Sequence, residues 1–411
     1  MTHVTQCILH FGMPKTGSTS IQESLYSGLT DPDFYYADLG HPNHGEILVN
    51  AFQDRPQMYH TNQKQGISLE KILSERPAVL QRLANQIGRC RARTMILSAE
   101  DACFFPKPAN AAVLAFFSSL QCELQCVAYV RSMRGWLESG FAQSLREPDP
   151  FSPVDVMKWL AQRRPVRKFL EAKDTIFGRD RVTLWPFSPA QFPQGCVVQD
   201  FCRRIGMKTL PRVIHRSNER LAMPAIRFLY AYRTAGQGYG VGPSVMHENA
   251  QLLRHLEKLK GPSFHFHSEL LDDYCRRNEA DIDWIESRLG ASLREGMGQD
   301  KDEHAIRAEA DLLAFSAESL EWLAERTGTS FRKLAHGDPS EVAAALHLLR
   351  SRPVKEEARE QSTISSVSFA GKMQRRAHGM LSLARRIFRS WRTKHVSNDS
   401  PDSEGPRGHG R

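Results

Sequence analysis

Short apolar runs alternate with stretches of helical period along the first half of the chain. Cys7-Ile8-Leu9-His10-Phe11 reads as a buried strand, after which Ile21, Leu25 and Leu29 recur at helical spacing. Asp31-Pro32-Asp33 marks a turn, Phe34-Tyr35-Tyr36 a short strand, and residues 47–52 a short helix. Residues 55–68 are polar and read as loop. Leu69, Ile72, Leu73, Val79, Leu80, Leu83 and Ile87 predict a helix that Pro77 interrupts. Residues 94–98, 124–130 and 182–185 read as further strands, with helices expected over 108–120 and 133–146. This alternation predicts an α/β fold, a three-layer parallel sheet with helices on both faces. From about residue 218 the spacing turns helical (221–232, 248–259, 270–289 and 308–326) with no further strand. The expected organisation is an α/β core over 1–217, a helical C-terminal extension or lid over 218–340, and a linker with a basic tail over 341–411.

The first strand leads into Gly12-Met13-Pro14-Lys15-Thr16-Gly17, followed by Ser18-Thr19-Ser20 at a helix start. Strand, glycine loop and hydroxyl-rich helix start together make a cradle for a phosphate. Gly12 and Gly17 let the main chain approach an anion. The unpaired N–H groups and the dipole of the first helical turn favour negative charge there, and Lys15 adds a cation. The nucleoside-triphosphate loop places Lys and then Ser or Thr directly after its second glycine. Here Lys15 precedes Gly17, so the cation sits inside the loop and no hydroxyl follows it to hold magnesium.

Charge changes the picture mainly at the C-terminus. The net charge is +9. Residues 352–411 hold 13 Lys/Arg against 6 Asp/Glu, which leaves the body at only +2. Bulk charge therefore gives no argument for nucleic acid as a partner. Residues 371–395 would form a basic amphipathic helix, with Met380, Leu383, Ile387 and Trp391 on one face. It would lie on an anionic membrane, bind an acidic partner, or stay solvated. Eight cysteines without a CxxC pair read as reduced, buried thiols of a cytoplasmic protein. No apolar run nears 18 residues and no signal peptide is recognised, so the expected location is cytoplasmic, with peripheral contact at the inner membrane surface through 371–395.

The order G-x-P-K-T-G-[ST]-[ST] at Gly12–Thr19 resembles the 5′-phosphosulfate loop of bacterial-type sulfotransferases that use 3′-phosphoadenylyl sulfate (PAPS). Val127-Ala128-Tyr129-Val130-Arg131, with Ser139 eight residues on, is similar to that family's 3′-phosphate element. Ile96 to Asp101 resembles its strand ending in Ser-x-Glu, and 180–187 with 197–201 its later strand and helix. Ser217-Asn218-Glu219 resembles its Asn-x-Ser segment, although Arg220 stands where Ser is expected. The resemblance covers roughly residues 6–290. The R-K-G-x-x-G clasp of animal cytosolic members is not found in the sequence.

The resemblance implies a P-loop NTPase-like fold and transfer of a sulfuryl group from PAPS, with no metal, to a hydroxyl or amine. The acceptor would be a glycan, a lipid-linked saccharide or a small molecule. Gly12, Pro14, Lys15, Thr16, Gly17, Ser18 and Thr19 would hold the 5′-phosphate, Arg131 and Ser139 the 3′-phosphate. Lys15 would offset charge on the departing oxygen. The proton would go to Glu100 or to His44, each near the start of the site. His41 and His44 form a His-x-x-His pair without further ligands, too few for a metal. Two other functions stay open: a nucleotide kinase or hydrolase on a related sheet, and a non-catalytic nucleotide-binding protein.

Overall fold

The computed structural model of the chain describes residues 5–89, 91–147, 156–163, 165–216, 221–240, 242–294, 304–329 and 338–352. The Ser217–Arg220 segment, the basic stretch 371–395 and the rest of the tail lie outside them. The chain divides into Met1–Ser351 and Arg352–Arg411.

Five strands form the sheet: β1 (Gln6–His10), β2 (Phe34–Tyr36), β3 (Thr94–Ser98), β4 (Glu123–Arg131) and β5 (Val182–Phe187). All neighbours pair parallel, in the order β2-β3-β1-β4-β5. Parallel strands are covered on both faces, which is why they read as unbroken apolar runs. Alternate residues feed two separate cores. Cys7, Leu9, Met95, Leu97, Cys126 and Ala128 join one core. Ile8, Ile96, Val127, Tyr129 and Trp185 join the other.

Helices cover both faces. On one lie α1 (Ser18–Gly28), through Ile21 and Leu25, and α9 (Val197–Arg204), through Val198, Phe201 and Cys202. The larger core on the other face takes side chains from α2 (Gly45–Phe52), α4 (Leu69–Arg89), α5 (Lys107–Ser119), α6 (Met133–Arg146) and α8 (Arg167–Phe177). Helices α3 (His60–Gln65) and α7 (Val156–Gln162) complete the first half. β1 therefore sends its helix to one face while β4 sends α6 to the other. In such sheets ligands bind where the chain switches face, beyond the carboxyl ends of the strands.

The helical second half comprises α10 (Met223–Ala235), α11 (Pro243–Leu256), α12 (Ser268–Arg277), α13 (Glu279–Leu289), α14 (Glu309–Leu312), α15 (Ala317–Thr327) and α16 (Pro339–Arg350). α16 runs past residue 340, where the helical region was expected to end. Its Val342, Leu346 and Leu349 are buried in the larger core.

Three local expectations change for physical reasons. Pro77 does not interrupt α4. It lies on the exposed side, where water can take the carbonyl that it leaves without a partner. The polar stretch 55–68 contains α3 because buried Asn62 donates to Asn50 Oδ1 and to the Pro56 carbonyl (2.6 and 2.7 Å). A side-chain anchor thus replaces the missing apolar stripe. The helix expected over 270–289 breaks at Asn278, whose amide donates to the Tyr274 carbonyl at 2.8 Å in competition with the backbone. Among the described residues no helix is long and apolar enough to cross a membrane. The described cysteines are free and buried.

Candidate functional site

After His10 the chain stays on β4. Phe11 N–H donates to Val127 O, Met13 N–H to Tyr129 O and Tyr129 N–H to Gly12 O, at 2.8–3.0 Å. The loop then turns through positive φ at Gly12 (101°), Lys15 (66°) and Gly17 (79°). A Cβ on Gly12 would lie 3.1 Å from Pro14 N and 3.4 Å from Glu100 Cα, so its absence lets the end of β3 close on the loop. Lys15 holds a left-handed conformation that costs a side-chain-bearing residue about 1–2 kcal/mol. Such strain is tolerated where a site needs it. Thr16 is buried, and its hydroxyl donates to Met13 O at 2.6 Å. That bond closes the loop on itself.

Gly17 caps α1 with no side-chain bond to the first turn. The first-turn N–H groups are thus presented at the loop, the geometry that takes an anion. Ser18 is buried against the Glu100 carboxyl, and Thr19 is half-buried on the next position. A Cβ on Gly17 would stand 2.7 Å from Val197 Cγ1. Gly17→Ala is therefore expected to destabilise the fold by about 2–4 kcal/mol, from backbone strain plus overpacking. Urea unfolding checks this; a change under about 0.5 kcal/mol would mean that the loop is not held this way.

Lys15 Nζ donates to Gln143 Oε1 at 2.9 Å. Gln143 in turn donates to Glu147, which lies 3.9 Å from Lys64. Burial holds the Lys15 pKa below the usual lysine value, with Arg146 adding to the effect and Glu100 and Glu147 opposing it. Arg131, the last residue of β4, is 7% exposed; its Nη1 donates to Lys15 O at 3.0 Å and its guanidinium lies over Phe187. Gly135 makes room for it, since a Cβ there would be 2.4 Å from Arg131 Nε. Ser139, on α6, donates its hydroxyl to Gly135 O at 2.7 Å.

Glu100 opens a short 3-10 turn after β3, Glu100–Phe104. Burial, with Asp101 beside it, pushes its pKa up to about 7, while Lys15 and Ser18 pull the other way. His44 does not join this group. Its Nε2 meets Ala37 O at 3.0 Å and its Nδ1 accepts from Ser98 N–H at 3.2 Å. Burial lowers its pKa to about 4. Both ring nitrogens are engaged, so the ring fastens α2 to β3 and has no site left to take a substrate's proton.

Lys15, Gly17, Arg131 and Ser139 line one cavity of about 550 Å³. Arg146, His215 and Arg216 join them, with Phe187, Val197 and Phe264 as apolar walls. Its one carboxylate among the described residues, Glu138, is already engaged by Phe266 N–H, His265 and Arg134 at 3.2–3.5 Å. The cavity is thus a cationic pocket at the β1/β4 switch. Sequence reasoning missed Gln143 and Arg146, although they follow Ser139 at i+4 and i+7 on one helical face. Nothing local marked His215 and Arg216, which arrive from the segment after α9. Among the described residues, no three or more His, Cys, Asp or Glu side chains gather where they could hold a metal ion.

No family model matches the chain, and no curated protein matches it. Among solved structures, a sulfotransferase from Alicyclobacillus acidocaldarius is similar at 13% identity, over 71% of this chain and 98% of that one. The TM-score is 0.40, a likeness too slight to bear on function.

Proposed function

We propose that the chain is a sulfotransferase that uses PAPS as sulfuryl donor. The observation that carries this reading is the meeting of Lys15, the open N-terminus of α1 and Arg131 at one cationic cavity. A donor with phosphate at both ends of a nucleoside needs two anion grips, and the cavity offers them. The loop backbone and the first turn of α1 take the 5′-phosphate. Arg131 and Ser139, with Arg216 and His215 on the same cavity, take the 3′-phosphate in place of the missing R-K-G-x-x-G clasp.

Sulfuryl transfer resembles phosphoryl transfer in that the protein mostly positions groups and offsets charge. Lys15 neutralises the charge that grows on the oxygen leaving with the 5′-phosphate. Glu100 accepts the acceptor's proton; its raised pKa leaves it able both to take and to release a proton near neutral pH.

Calorimetric titration with adenosine 3′,5′-bisphosphate, beside ATP with magnesium, tests the reading. Binding of the bisphosphate alone is expected, weakened about 10- to 100-fold in Arg131→Ala through loss of a charge-assisted hydrogen bond. Arg131→Lys keeps the charge but loses the planar fork, so an intermediate loss is expected. Preference for ATP with magnesium would replace the reading with a nucleoside-triphosphate enzyme.

A further inference from the structure

Lys15 and Gln143 line a second cavity as well, of about 310 Å³. If the first cavity holds the donor, the sulfuryl group sits at Lys15, and the second cavity meets the first at that residue. Its volume is at the small end for ligand sites, enough for one or two rings.

The walls are mostly ring and hydrocarbon: Pro14, Phe104, Trp136, Leu137 and Trp159. Among the described residues, the polar ones on them, Lys15, Gln143, Ser144, Glu147 and Arg163, each have partners within the fold. Gln143 bridges Lys15 and Glu147, and the Ser144 hydroxyl donates to Phe141 O at 2.7 Å. The Arg163 guanidinium caps the Trp159 ring at 4.3 Å. Trp159 presents its ring to the cavity wall, while its Nε1 is buried away from solvent with no acceptor among the described residues.

A sugar would bring several hydroxyls into these walls. Each one buried without a partner costs about 5- to 150-fold in affinity. A flat aryl ring brings one hydroxyl and gains from packing against aromatic side chains. We infer that the second cavity is the acceptor site and that it takes a small aryl alcohol, a phenol, rather than a glycan. This rests on the sulfotransferase reading and narrows the acceptor classes expected from sequence.

In the step, the phenol oxygen forms a bond to sulfur as its proton passes to a base, the role that the proposed function gives to Glu100, which interacts electrostatically with Lys15. The bond between sulfur and the 5′-phosphate oxygen breaks, and that oxygen keeps the electron pair. The products are an aryl sulfate ester and adenosine 3′,5′-bisphosphate.

The test uses the full chain with PAPS, and 4-nitrophenol beside methyl glucoside and a chitin or heparosan oligosaccharide. The sulfated product is read by mass, and 4-nitrophenol binding to bisphosphate-saturated protein by calorimetry. The expected result is a kcat/KM at least 100-fold higher for the phenol. Phe104 is 42% exposed, so Phe104→Ala should fold; it is expected to raise the phenol KM about 5-fold or more and leave bisphosphate affinity unchanged. Trp159→Phe removes part of one aromatic wall and should weaken 4-nitrophenol binding in the same calorimetric assay. A glycan used as well as the phenol, or phenol binding indifferent to both variants, overturns the inference. Bisphosphate bound with no phenol bound or sulfated overturns the inference alone, and no bisphosphate binding overturns it together with the reading beneath it.

Discussion

Replacing Lys15 with methionine is expected to lower kcat for sulfuryl transfer about 100- to 1,000-fold, the loss typical of one preorganised charge-stabilising group. The variant keeps the hydrocarbon stem and faces the same positive φ as lysine, so the loop conformation should survive. The ammonium is drawn in by two features of the fold. Gln143 accepts from it at 2.9 Å, and the Glu100 and Glu147 carboxylates favour its charged form against burial and Arg146. Those restraints hold the charge where it faces both cavities. Its interaction is greatest when the departing oxygen becomes fully charged, so kcat should fall far more than bisphosphate affinity. Steady-state kinetics beside calorimetry separate the two. A kcat within 10-fold of wild type would remove Lys15 from the chemistry.

Glu100→Gln is expected to lower kcat/KM about 100- to 10,000-fold, the range for a lost general base. Its pH signature is as diagnostic as its size. Wild-type kcat/KM should rise with pH through about 7 as the carboxyl ionises, then level off, while the variant should show no such rise. Stability moves in the opposite sense. The folded pKa of about 7 lies above the ordinary 4.5, so the folded state holds this proton more tightly than the unfolded chain does. The stabilisation is complete below about pH 4.5 and is lost as pH rises toward 7. Glutamine cannot ionise, so the variant should be the more stable protein at pH 8 even as it loses activity. A variant less stable than wild type at pH 8, with activity retained, would mean that Glu100 serves packing and not proton transfer.

The strands and the glycine loop between β1 and α1 were legible in the sequence because their signals are local. A strand buried on both faces must be apolar along most of its length, and β1, β3 and β4 each show this run, whereas the edge strand β5 exposes Thr183. A chain that must turn through positive φ beside a packed helix needs glycine at position 17, and the contact with Val197 shows why. The helix expected over 133–146 forms as α6, and the structure adds the Ser132 side chain that caps its start. His44 carries the right chemistry in the right stretch, but its ring is taken up by Ala37 and Ser98, partners that depend on how the chain folds back.

Tertiary structure alone decided which residues meet. The order β2-β3-β1-β4-β5 sets β4 beside β1, which is what carries Arg131 to the Lys15 carbonyl across 116 residues of sequence. The same adjacency brings Gln143 to the Lys15 ammonium and gives Lys15 a cavity on either side. His215 and Arg216 reach the cationic pocket from a segment with no motif of its own. Periodicity reports which face of an element is buried, whereas the pairing of distant elements is settled by how all the apolar faces are covered at once.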